Sequence, residues 1–122
     1  MVVALWIVNV VLALAFLVAG GAKLIRPREA LPSLGMRWTE DFGDASVKAI
    51  GAAEVLGAIG LIVPIATGIA PILAPIAAVA LTVLMAGAIA THVRRREQFV
   101  PPLVLGIIAI GSAILGFLAV LG

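Results

Sequence analysis

Four long apolar stretches take up nearly the whole of this chain. An α-helix needs about 20 predominantly apolar residues to cross a hydrocarbon core of about 30 Å. The stretches at 2–25, 46–63, 70–92 and 101–121 come close to that requirement, and four passes use up almost all of the 122 residues. Hydrophobic residues make up 64% of the chain and charged residues 11%, with a mean hydropathy of +1.31. These values lie far outside the soluble globular range. The expected fold is all-α: a single polytopic membrane domain built as an antiparallel four-transmembrane-helix bundle, with a short interfacial helical segment between helices 1 and 2.

Charge orients that bundle. All eight basic residues fall in, or within three residues of, two of the three gaps: Lys23, Arg26, Arg28, Arg37 and Lys48 around the first, Arg94, Arg95 and Arg96 in the third. By the positive-inside rule both basic gaps face the cytoplasm and both termini lie outside it. A cleaved signal peptide carries its positive charge before the apolar run, and here the charge follows it, so the first stretch reads as a helix that stays. In a soluble protein a pI near 10.0 would suggest nucleic acid. Here Arg26, Arg28, Arg94, Arg95 and Arg96 read as topology determinants that touch anionic lipid heads, and no nucleic-acid partner is expected. There is no cysteine, which excludes a dithiol relay, a disulfide and any thiolate-held metal or cluster.

Local chemistry sets the expected boundaries. Arg26 precedes Pro27 and is therefore pushed out of the α region, ending the first helix at Ile25. In the segment PREALPSLGMRWTEDFGDAS, Pro27 can open a short helix, Pro32 and Gly35 break it, and Thr39 can cap a second turn. Trp38 is the expected interfacial anchor. Asp44 or Ser46 should cap the second helix, which should end at Pro64. The short uncharged turn VPIATGIAP then makes helices 2 and 3 a tight antiparallel pair. Pro101 and Pro102 open the fourth helix. Ala53, Gly57 and Gly60 line one side of the second helix and suit close helix packing. Gly106, Gly111 and Gly116 recur every five residues, which rotates about 140° per step and makes no single groove.

The polar residues inside the apolar stretches can be weighed singly. Glu54 lies about 10 Å below the border of its helix at 1.5 Å per residue. An ionised carboxylate at such a depth costs about 2.5–3.5 kcal/mol and needs a cation, donors, water or a proton. Lys23 and His92 end the first and third helices on the same side and are the candidate partners. The bland alternatives are that Lys23 snorkels to the interface and that His92 only begins the basic loop. Asn9, Phe16 and Lys23 are spaced by sevens and share a face, as do Met85 and His92, with Thr82 nearby. Lys23, Glu54, His92, Thr82, Phe16 and Met85 are thus the candidate ligand-binding residues, and no catalytic residue stands out. One histidine and one buried glutamate are too few for a metal site. No phosphate loop or nucleophile elbow occurs. No covalent or metal cofactor is expected; what remains is a pocket for a lipid-like or quinone-like molecule, or an ion pair that fixes helix register.

The pattern LAFLVAGGAKLIRP, followed by GAAEVLGAIGLIVP and then by ATHVRRRE, resembles the DoxX-like family of small four-helix bacterial membrane proteins over nearly the whole chain. The resemblance implies a bacterial cytoplasmic membrane location. It also implies association with thiosulfate:quinone oxidoreduction, or with membrane complexes that handle thiol or oxidative stress. A direct thiol role would need cysteines, which this chain lacks. Three roles follow. The first is an accessory or anchoring subunit of a larger, respiratory or redox, membrane complex, without catalysis of its own and with other membrane subunits as partners besides the bilayer. The others are a binding or transport protein for a small hydrophobic molecule, and a quinone-linked oxidoreductase subunit.

Overall fold

Proline and glycine place most of the breaks between helices. A computed structural model describes residues 2–122. Helix α1 spans Val2–Ile25 and stops before Pro27 as the pre-proline rule requires. Three 3-10 turns follow, Arg28–Ala30, Pro32–Leu34 and Arg37–Asp41. Pro32 opens the second of them and Gly35, at φ 91°, closes it in the left-handed region. Helices α2 (Asp44–Thr67), α3 (Leu73–Arg94) and α4 (Val100–Leu121) complete the chain. All four are long and apolar enough to cross a membrane, and among the described residues there is no strand.

The boundaries differ from the expected ones at three places. Helix α2 does not end at Pro64 but carries it inside and continues to Thr67. A proline removes only the bond to the carbonyl four residues back, that of Gly60. Unwinding the turn in an apolar setting would leave several backbone groups unpaired. The stop comes instead at Gly68, φ 70°, a left-handed cap. Helix α3 begins at Leu73 rather than at 70, because residues Ala70–Ile72 form a separate turn with Leu73 N–H bonded to the Ala70 carbonyl at 3.0 Å. Gly43, not Asp44 or Ser46, takes the N-cap position of α2, and no side chain caps it. Thr39 likewise caps nothing: its hydroxyl donates to the Met36 carbonyl at 2.7 Å.

Helix α1 lies closest along α2, and α3 along α4; the α2–α3 seam is looser and the α1–α4 seam lighter still. The interior holds Leu12, Phe16, Ala58, Leu61, Leu81 and Met85. Large aliphatics such as Val18, Ile107 and Ile114 point outward, where lipid replaces water as their solvent. Midway along the bundle the buried Asn9 Nδ2 donates to the Leu61 carbonyl at 2.8 Å and its Oδ1 accepts from the Ser112 hydroxyl at 2.5 Å. This ties α1, α2 and α4 together beside the break that Pro64 makes in the α2 ladder.

The α1–α2 approach is reciprocal and brings backbone against backbone. A Cβ on Gly20 would stand 2.7 Å from the Gly51 carbonyl oxygen and 3.0 Å from Glu54 Cβ; one on Gly51 would stand 2.8 Å from Lys23 Cβ and 3.0 Å from the Gly20 carbonyl oxygen. Each glycine thus faces the charged residue of the opposite helix, three positions on from its own helix's counterpart. Gly57 meets Leu81, and Gly60 meets Ala77, across the α2–α3 seam. Gly51→Ala should lower the melting temperature in detergent, since overpacking against backbone costs about 1–3 kcal/mol. Gly111→Ala, where a Cβ meets nothing, should leave it unchanged or raise it by the helix propensity of alanine. Equal behaviour of the two variants would mean that the α1–α2 contact is not close.

Candidate functional site

The buried charge of α2 finds its partner on α1. Lys23 Nζ lies 2.5 Å from Glu54 Oε1, and the two residues are 5% and 3% exposed. The contact exists because Gly20 and Gly51 let the two backbones meet one turn away. Lys48, the next cation along α2, does not compete for Glu54. Its ammonium donates to the carbonyls of Lys23 at 2.6 Å, Leu24 at 3.2 Å and Arg26 at 2.7 Å, capping the negative end of α1.

An aromatic roof covers the pair. The Lys23 ammonium sits 5.5 Å from the centroid of the Trp38 ring, within range of a cation–π contact. Phe42 meets Trp38 edge-on, with centroids 5.5 Å apart and planes at 78°. This turn is held from below by Arg28, whose Nη1 donates to the carbonyls of Thr39 at 3.3 Å and Phe42 at 3.1 Å. It is held from the side by Arg95, which bridges Asp41 at 2.6 Å, Glu40 at 3.3 Å and Glu97 at 3.2 Å. The hydrogen bond with Asp41 keeps the Arg95 guanidinium charged even more firmly than usual. Asp41 and Glu40 are exposed, so this clasp fastens the interfacial segment to the α3–α4 connector more by geometry than by strength.

A groove of about 1250 Å³ opens beneath that roof and runs along α2 and α3. Its walls combine small residues, Ala53, Gly57 and Gly60 from α2 and Ala77, Ala80 and Ala88 from α3, with larger aliphatics such as Leu56, Ile76, Val83 and Leu84, and its polar lining comprises Lys23, Arg37, Glu54, Trp38, His92 and Glu97 among others. From Leu73 to His92 the α3 wall covers about 28 Å at 1.5 Å per residue, most of a bilayer's hydrocarbon depth.

Of the residues singled out in the sequence, Lys23, Glu54, Met85 and His92 line this groove. Phe16 does not: it is wholly buried in the core. Thr82 does not line it either, and its hydroxyl donates to the Ala78 carbonyl of its own helix at 2.8 Å. His92 Nδ1 faces Glu97 Oε1 at 3.4 Å, without hydrogen-bond alignment, rather than Glu54. Arg28 and Arg95 turn to protein partners, while Arg26, Arg94 and Arg96 are exposed at the rim. Sequence reasoning missed the Lys48 cap, the Arg95 clasp and the Asn9–Ser112 bond. It also missed Gly20 and Gly51, for which a signal existed: each stands three residues before a membrane charge.

Lys23→Ala and Glu54→Ala should each lower thermal stability in detergent, because breaking a buried pair strands a charge at a cost of about 3–5 kcal/mol. The double variant should recover part of the combined loss. Strict additivity in this cycle would mean that the two groups do not interact.

A family model described as the DoxX-like family matches residues 7–120. Neither the curated proteins nor the solved structures contain a match.

Proposed function

This chain belongs to the DoxX-like family of membrane proteins, and we propose that it is a non-catalytic binding protein holding a lipid-like or quinone-like molecule in the α2–α3 groove. The observation that carries this reading is the pairing of a long apolar groove with a polar station at its end. Alanine and glycine walls leave room for a hydrocarbon chain, and Lys23, Glu54 and Trp38 offer a donor, an acceptor and an aromatic face to its head. A buried pair that only fixed helix register would need no such room beside it. An accessory role in a larger respiratory or redox assembly is compatible with this reading, since a small bundle can carry its molecule within a complex.

Ala53→Leu combined with Ala80→Leu narrows the groove at two wall positions that face outward from the core. Native mass spectra of protein extracted gently from its own membrane should show a small-molecule adduct on the wild type. The adduct should be lost in the double variant at an unchanged melting temperature. Retention of the adduct by the double variant would overturn the groove as its site. Loss of a co-purifying polypeptide instead would assign the groove to a partner helix.

We further infer that the charged end faces the cytoplasm of a bacterial cell, with both termini on the opposite side, because every lysine and arginine gathers at that end. Arg26, Arg94 and Arg96 then meet anionic lipid heads, each contributing about 1 kcal/mol. A reporter active only in the cytoplasm should be active when inserted at Gly35 and silent after Gly122; the reverse pattern would overturn the orientation.

A further inference from the structure

The head-group chemistry of the groove can be read from the valences its polar station leaves open. Glu54 uses Oε1 for Lys23; among the described residues Oε2 has no protein partner, and it opens on the groove. Lys23 uses one of its three N–H bonds for Glu54, and its remaining donors meet no oxygen or nitrogen among the described residues, only the face of Trp38. An unused acceptor and unused donors therefore sit side by side, 2.5 Å separating the atoms that join them. The pair as a whole is neutral, whichever partner holds the shared proton.

That combination selects against most head groups. A phosphate or carboxylate would bring a second negative charge beside Glu54 into a site where Lys23 is already matched, and the other groove-lining cation, Arg37, is exposed and so screened by water and ions, whereas burying an uncompensated charge is costly. A head that only accepts, such as an ester, can engage Lys23 but leaves Glu54 Oε2 without a donor. A hydroxyl both donates and accepts, adds no charge, and can donate to Glu54 Oε2 while accepting from Lys23 Nζ. We propose that the molecule held in the groove is an uncharged membrane-dissolved alcohol: a single hydroxyl head on the Lys23–Glu54 pair beneath Trp38, with its hydrocarbon chain along the small-residue walls of α2 and α3. This rests on the groove being a binding site, and it names the class of ligand.

Three probes with one shared chain separate the two levels. Oleyl alcohol donates and accepts, methyl oleate only accepts, and oleyl phosphate is an anion. Purified protein in detergent, delipidated by size exclusion, is titrated with each and followed by native mass spectrometry and thermal shift. Oleyl alcohol should be retained about tenfold better than either of the others, the factor expected from one well-formed hydrogen bond to a charged group. In Glu54→Gln, Lys23 loses its counter-charge, so the order should invert and oleyl phosphate should bind best. Equal retention of all three by the wild type overturns the head-group inference while leaving the groove as a binding site. Preference of the wild type for oleyl phosphate or methyl oleate overturns it as well. Retention of none overturns both. The wild-type comparison decides the question even where Glu54→Gln fails to fold.

Discussion

One ion pair inside the membrane-spanning region organises this bundle. Lys23 and Glu54 each cost about 2.5–3.5 kcal/mol if placed alone in hydrocarbon, and at 2.5 Å each offsets part of the other's penalty. That distance is available only because Gly20 and Gly51 let α1 and α2 touch through their backbones one turn away. Helix α1 ends one turn beyond the contact, before Pro27, and Lys48 reaches across from α2 to satisfy the carbonyls at that end. A glycine pair, a charge pair and a capping lysine thus define a single α1–α2 unit. The α3–α4 unit is joined by different means, with Pro75 against Gly116 and Met85 against Gly106.

The groove is a consequence of how those two units meet. Lipid tails are as apolar as leucine, so no hydrophobic force drives membrane helices together, and close packing must supply the contact. Across the α2–α3 seam close contact is confined to a few points, Gly57 on Leu81 and Gly60 on Ala77. Alanines on either side of those points hold the helices at that spacing without filling the gap. The small residues that read in sequence as packing positions are therefore both the contact and the wall of an opening. One stripe of glycine and alanine serves stability at Gly57 and Gly60 and space at Ala53, Ala80 and Ala88.

What the sequence made legible follows from which constraints are local. Apolar length and proline position act on the chain itself, so four spans and the end of α1 at Ile25 could be read directly. The end of α2 could not, since whether a proline stops or merely interrupts a helix depends on what surrounds it, and inside a bundle the helix continues. The Glu54–Lys23 pair was legible as one of two candidate pairings, because a buried carboxylate calls for a cation and Lys23 and His92 both end helices on its side of the bundle. Heptad spacing put Phe16 on the face of Lys23, and Thr82 lay one turn from Met85 near its face, yet spacing fixes an azimuth on a helix and not the neighbour met there. Phe16 met the core and Thr82 its own backbone. Arg95 looked like one of three equivalent basic residues. Its clasp on Asp41, Glu40 and Glu97 depends on the path of two loops, which no periodicity encodes.

The electrostatics of the site fall into two layers that respond differently to their surroundings. The inner pair, Lys23 with Glu54, lies in a low-dielectric region and is nearly insensitive to salt. The outer clasp, Arg95 with Asp41, Glu40 and Glu97, involves partly exposed groups on which screening acts within about 8 Å at physiological ionic strength. The outer layer holds Trp38 and Phe42 over the inner one, because the turn Arg37–Asp41 is fastened to the rest of the molecule by Arg28 and Arg95. The floor of the groove is thus fixed by a contact that cannot be relaxed without unpairing a buried charge. Its roof is fixed by contacts that water and ions compete for. A molecule entering from the charged end meets the weaker layer first. One entering sideways between α2 and α3 passes apolar side chains, small ones such as Gly57 and Ala80 and larger ones such as Leu56 and Val83, before its head reaches Glu54, so the route with least polar obstruction is the lateral one, from the bilayer itself.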